Sequence, residues 1–141
     1  MRMAPPLATS LEDSPIQPCW TERIVWQSFT YYPRLHRVQE LLAEHPQDRI
    51  TVFEAARIAC CESKYFSSYF REKVNVHFTE WVRLVRVAEA ARLLRTQDLT
   101  IYQTARQVGF NDTRALERAF RRFCSMTPAK YRADGRPVLN R

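Results

Sequence analysis

Apolar residues recur every three to four positions along most of this chain, and the recurrence breaks at a few capping and turn signals, so helices can be placed one at a time. Leu35, Val38, Leu41 and Leu42 give one apolar face to a helix over Pro33 to His45, stopped by Pro46. From Phe78 to about Gln97 the pattern is broader. Phe78, Trp81, Val82, Val85 and Ala88 cover one side, and Val87, Ala91 and Leu94 continue round it, which suits a long helix clasped between two small subdomains. Its remaining stripe of Glu80, Arg83, Arg86, Glu89, Arg92 and Arg95 permits i,i+3 ion pairs worth tenths of a kcal/mol each. Near the end, Thr127 and Pro128 supply an N-cap and an N1 proline for a short closing helix through Arg132.

The segments on either side of the long helix are one unit written twice, matching at an offset of 49 residues and, after an inserted Asn111, at 50. Thr51 and Glu54 form a capping box in the first copy, and Thr100 and Gln103 form one in the second. Ala56-Arg57 matches Ala105-Arg106, and Ala59-Cys60-Cys61 aligns with Val108-Gly109-Phe110, where each short helix must turn. Beyond the turn, Phe66 and Phe70 match Leu116 and Phe120, an i,i+4 pair that anchors a second helix on a core. Each copy therefore predicts helix, tight turn, helix. The expected fold is all-α, about seven helices, with two helix-turn-helix units over 51–74 and 100–124 joined by a linker helix over 78–97.

The outward side of each second helix is polar. The first offers Lys64, Ser67, Ser68 and Arg71, and the second Thr113, Arg114, Glu117, Arg118, Arg121 and Arg122. A helix is about 10 to 12 Å across and the major groove of DNA is about 12 Å wide, so a helix held by its apolar back can present such a face to base edges. An ordinary solvated face would look similar in either copy alone. Two such faces after matched turns favour the groove. Roughly 18 linker residues span about 27 Å at ~1.5 Å each, close to the ~34 Å between successive major-groove faces on one side of the duplex.

Composition sharpens this reading. The 141 residues carry 22 Lys+Arg against 15 Asp+Glu, net +7, and 19 of the basic residues are Arg, whose flat fork suits phosphates and guanine edges. Residues 99–141 alone hold nine basic and three acidic groups, so the charge collects around the second unit. Two glycines are too few for an all-β sandwich or a nucleotide-binding phosphate loop. The longest uncharged stretch, Ile24 to Pro33, is far short of the roughly 18 apolar residues of a membrane span, which leaves a cytoplasmic, nucleoid-associated protein as the expectation. The cysteines at 19, 60, 61 and 124 make no C-x-x-C pair, so no metal or other cofactor is expected. No Ser/His/Asp or paired-carboxylate arrangement suggests an enzyme. Residues 1–32 read as an N-terminal arm, flexible to about residue 18, with an aromatic segment over 20–32 that packs on the domain or on a partner; 133–141 read as a tail.

Over about residues 33 to 132 the chain resembles the DNA-binding domain of the AraC/XylS family of bacterial transcription regulators. The residues that carry the resemblance are Arg86-Val87, Ala90, Leu93-Leu94, Ile101, Ala105, Val108-Gly109-Phe110, Leu116, Arg118, Phe120, Thr127-Pro128 and Tyr131-Arg132. It implies a sequence-specific regulator with two recognition helices in adjacent major-groove segments of double-stranded DNA, and contact with RNA polymerase. By family position, Lys64, Ser67, Ser68, Thr113, Arg114, Glu117 and Arg118 face bases, while Arg71, Arg121 and Arg122 are better placed for phosphates. Monomeric or weakly dimeric binding is expected. The alternative is an interaction module that keeps the fold but binds the polymerase or another regulator.

Three departures bear on the backbone. Cys60 stands at a turn position where the family commonly has glycine, and Asn75 and Ser125 replace the glycine often found after each recognition helix. At Cys60 the backbone either avoids φ > 0 or is strained there. Cys61 matches Phe110 and reads as a small core residue, with a thiol switch at Cys60-Cys61 as the alternative. Trp81 reads as core and His77 as a cap for the linker helix. Many family members carry an effector-binding domain of a hundred or more residues ahead of this part. With about 32 residues there, regulation by abundance, by a partner or by the 20–32 segment is expected, unless the chain is a fragment of a longer regulator.

Overall fold

A computed structural model describes residues 24–45, 48 and 50–135, and the described residues form helices with no strands. The helices are α1 (Ser28–Tyr31), α2 (Pro33–Glu44), α3 (Val52–Ile58), α4 (Ser63–Val74), α5 (Phe78–Thr96), α6 (Ile101–Gln107), α7 (Thr113–Cys124) and α8 (Pro128–Gly135). Pro46, Cys19, Trp20, the expected arm over 1–18 and the end of the tail lie outside the described residues.

Local chemistry fixes the helix starts. Thr51 Oγ1 accepts from Glu54 N at 3.1 Å while Glu54 Oε1 accepts from Thr51 N at 3.1 Å. Thr100 and Gln103 repeat that reciprocal box at 3.0 and 2.9 Å. Each satisfies donors that a helix start leaves without intrahelical partners. Asp112 caps α7 through Ala115 N at 2.8 Å, whereas Glu62, at the matching place before α4, makes no side-chain cap. Thr127 Oγ1 accepts from Lys130 N at 3.1 Å, as the Thr-Pro signal predicts.

The second helix of each unit ends in a left-handed residue without being glycine. Asn75 has φ 76° and Ser125 has φ 61°, and each donates its N–H to the carbonyl of Arg71 or Arg121 respectively, closing the last turn. Cys60 has φ 61°, so the turn of the first unit takes the left-handed path that Gly109 takes in the second at φ 99°. Of the two alternatives for Cys60, the backbone adopts the strained one.

One hydrophobic cluster runs through both units. The linker helix α5 is its axis: Trp81, Leu84, Val85, Val87, Ala90, Ala91 and Leu94 are all buried, so it is apolar nearly all round. Phe66, Phe70 and Val74 seal the first unit on it, and Leu116, Phe120 and Phe123 seal the second. Aromatic contacts concentrate in the first unit, with Phe66 edge-on to Phe78 at 5.4 Å and Phe70 against Trp81 at 5.7 Å. Such pairs add about 0.5 to 1.5 kcal/mol each beyond burial.

The aromatic segment before α2 packs on this same core. Phe29 is buried and stacks on Trp81 at 4.8 Å, with Ile24 buried beside it. Val25 N donates to Val74 O at 3.0 Å and Ser28 Oγ donates to Lys73 O at 2.5 Å, so this strap satisfies carbonyls at the end of α4. Tyr31 stays 75% exposed.

Three expectations for individual side chains need correction. Leu41 is half-buried and Gln39 is buried instead, because the buried face of α2 is the i, i+3, i+4, i+7 set Leu35, Val38, Gln39 and Leu42. Cys61 is half-buried at the edge of the core, as is the matching Phe110. His77 occupies the N-cap of α5 without a side-chain cap, and its Nε2 meets Arg71 Nη1 instead.

Candidate nucleic-acid interface

The recognition surface begins with burial. In α7, Leu116, Ala119, Phe120 and Phe123 are held in the core. At about 100° per residue, Arg114, Arg118 and Arg121 then fall within about 60° of one another on the opposite side. All three are exposed, and among the described residues none makes an ion pair. Three neighbouring guanidinium groups without an anion, on a helix whose back is immobilised, form a surface of concentrated positive potential. Thr113 and Glu117 sit on the flank, each half-buried.

Arg122 lies on the other flank and is turned towards the linker helix. It forms an ion pair with Glu80, 42 residues earlier, and its guanidinium carbon lies 5.8 Å from the Phe123 ring centroid. Sequence reasoning missed this tie, because only the packing of α7 on α5 brings the two together.

The matching face of α4 is less charged. Lys64, Ser67, Ser68 and Arg71 are all exposed opposite Phe66, Phe70 and Val74. Two hydroxyls, Ser67 and Ser68, stand roughly where the second unit has Glu117 and Arg118. Arg71 is shared with His77. Beside this face runs a tyrosine cluster that the sequence analysis did not single out: Tyr65 meets Tyr69 at 5.7 Å, and Lys73 Nζ lies 5.2 Å over Tyr32. Tyr65 and Tyr69 are spaced i,i+4, the one signal that was available in the sequence.

The two adjacent cysteines lie in different surroundings. Cys60 is exposed while Cys61 is half-buried, and burial, partly offset by Arg34, raises the Cys61 thiol above its usual range. Burial pushes Cys124 up to about 12. Among the described residues no group of three or more His, Cys, Asp or Glu is arranged to hold a metal ion, and no helix is long and apolar enough to cross a membrane.

Two helix-turn-helix units on one linker helix, each with an outward polar recognition face, define a bipartite DNA-binding domain. The comparisons with known proteins agree. A family model described as a helix-turn-helix domain matches residues 55–134, and the chain belongs to the AraC/XylS-type helix-turn-helix family. It is similar to the DNA-binding domain of AdpA, described as a global transcriptional factor and solved in complex with a target DNA, at 32% identity and a TM-score of 0.68, over 72% of this chain and 91% of that one. It is also similar to the HTH-type transcriptional regulator RipA of Corynebacterium glutamicum, at 30% identity over 79% of this chain and 34% of that protein. The arabinose operon regulatory protein of Escherichia coli is 25% identical over 76% of this chain and 37% of its own length. The chain thus spans about a third of the length of these curated relatives.

Proposed function

We propose that the protein is a sequence-specific transcription regulator whose two recognition helices, α4 and α7, enter adjacent major-groove segments of double-stranded DNA. The observation that carries this is the face of α7, where Arg114, Arg118 and Arg121 project together from a helix pinned by Leu116, Phe120 and Phe123. A relative of the same fold solved in complex with a target DNA supports double-stranded DNA as the partner. In this reading Lys64, Ser67 and Ser68 from α4, and Thr113, Arg114, Glu117 and Arg118 from α7, contact bases. Arg71, Arg121 and Arg122 contact phosphates. The 19-residue linker helix spaces the two grips by about 28 Å at ~1.5 Å per residue.

The protein would act in the cytoplasm, at the nucleoid, binding as a monomer or weak dimer and touching RNA polymerase at its promoters. Residues 24–32 pack on the core of the first unit and would belong to the DNA-binding domain, with activity set by abundance, by a partner or by this aromatic segment. No catalytic role is assigned.

Titration of binding against salt tests the reading. If about six to ten phosphates are neutralised, affinity falls about 10³- to 10⁵-fold between roughly 50 and 200 mM salt. Arg118→Ala should cost about 1 to 3 kcal/mol on the selected site and relax preference at one base pair, whereas Arg121→Ala should weaken all sequences about equally. Equal losses on selected and random duplexes for Arg118→Ala would overturn its assignment to a base.

A further inference from the structure

We propose that the cleft between the linker helix α5 and the recognition helix α7 seats a phosphate of the DNA backbone, and that Glu80 competes with that phosphate for the arginines that hold it. The inference rests on the DNA-binding reading and adds two residues to it, Arg83 and Glu80. Arg83 of α5 and Arg118, Arg121 and Arg122 of α7 line a cleft of about 590 Å³ with Ala115 and Ala119 among its walls. With Arg118 assigned to a base, Arg83, Arg121 and Arg122 remain as three permanent cations around a partly apolar hollow, and they call for an anion.

The only carboxylate among the described residues that pairs with these arginines is Glu80. Its Oε1 accepts from Arg83 Nη1 at 3.2 Å and its Oε2 accepts from Arg122 Nη2. Glu80 is 19% exposed, while Arg83 is 56% and Arg122 is 62% exposed, so the carboxylate sits beneath two guanidinium groups that still face solvent. A guanidinium has five N–H donors, and each of these arginines engages Glu80 through a single nitrogen. Most donors of both remain available, and Arg83, Arg121 and Arg122 exceed the one carboxylate by two charges.

Position matches the charge. Arg122 and the cleft lie on the flank of α7, about 40° beyond Arg118 and about 80° from Arg114 at 100° per residue. A helix about 10 to 12 Å wide in a groove about 12 Å wide brings its flanks against the phosphate walls while its outward side meets the bases. The cleft therefore meets a wall. Arg83 reaches that wall from the linker helix, which makes α5 part of the interface as well as a spacer. In the free protein Glu80 holds Arg83 and Arg122 as a phosphate would. In the complex the same carboxylate repels the incoming phosphate and lowers affinity for every sequence.

The test measures log Kobs against log salt concentration for the wild type, Arg83→Ala and Glu80→Gln, each on the selected duplex and on a random one. Loss of one phosphate contact lowers the slope by about 0.9 and, at ~0.1 M salt, affinity by about eightfold. Arg83→Ala should show both changes on both duplexes. Glu80→Gln should bind both duplexes more tightly than the wild type, with a slope at least as steep. An unchanged slope for Arg83→Ala overturns the phosphate seat, and weaker binding by a folded Glu80→Gln overturns the competition. Arg83 is exposed, so its variant folds and keeps the proposal testable if Glu80→Gln does not. Absence of DNA binding by the wild type would be a failure of the parent reading and is seen in the same titration.

Discussion

Replacing Ser125 by glycine should stabilise this protein. Ser125 ends α7 at φ 61° and ψ 26°, donating its N–H to Arg121 O at 2.9 Å. An L-residue in this region carries about 1 to 2 kcal/mol of steric cost between its Cβ and the following carbonyl. Glycine removes that cost but loses about 0.5 to 1 kcal/mol more backbone entropy on folding. The net gain is about 0.5 to 1 kcal/mol, or about 2 to 4 °C in Tm for a domain of this size. Urea unfolding should show a higher midpoint at unchanged m. Ser125→Ala retains the Cβ and should show no gain, which separates backbone relief from loss of the hydroxyl. Cys60→Gly, at φ 61°, should give a similar increment, and the double variant about 1 to 2 kcal/mol because the two residues end helices in different units. Asn75→Gly should gain less, since asparagine tolerates the left-handed region. A Ser125→Gly midpoint equal to or below the wild type would refute the strain argument.

The core and the caps offer further checks. Phe120 is fully buried and meets Tyr131 at 5.3 Å, so Phe120→Ala should lose about 3 to 5 kcal/mol in the same urea assay; a loss under about 1 kcal/mol would contradict its place in the core. Asp112→Ala should cost about 1 kcal/mol by removing the cap of α7, while Glu62→Ala at the uncapped start of α4 should cost much less; equal losses would contradict the difference between the two starts. Thiol alkylation near pH 8, read by peptide mapping, should modify exposed Cys60 well before Cys124, whose burial keeps it protonated up to about 12; rapid labelling of Cys124 would show that α7 does not pack as described.

What could be read in the sequence was local or repeated. The capping boxes at Thr51 and Thr100 need only residues three apart, and both are made. The i,i+4 pairs Phe66/Phe70 and Leu116/Phe120 point inward because helical spacing leaves them one shared face. What could not be read depends on contacts across the fold. Nothing in the four residues of α1 says that Phe29 stacks on Trp81, 52 positions away, and the aromatic run fitted a partner surface as well. The pairing of Arg122 with Glu80 is equally non-local, so Arg122 looked as free as Arg121. At Cys60 the missing glycine signalled a choice between two backbone paths, and the turn takes the left-handed one. Leu41 looked like core by spacing, yet periodicity does not fix how far a helix is rotated about its axis.

In the proposed complex, two recognition helices on one linker helix grip the same side of a duplex one helical turn apart. Hydroxyl-radical footprinting on a duplex selected from a randomised pool tests it most directly. Two protected patches are expected on one face of the DNA, their centres about 10 base pairs apart, with Arg118→Ala weakening the patch contacted by α7 more than the other. A single protected patch, or two patches on opposite faces, would contradict it.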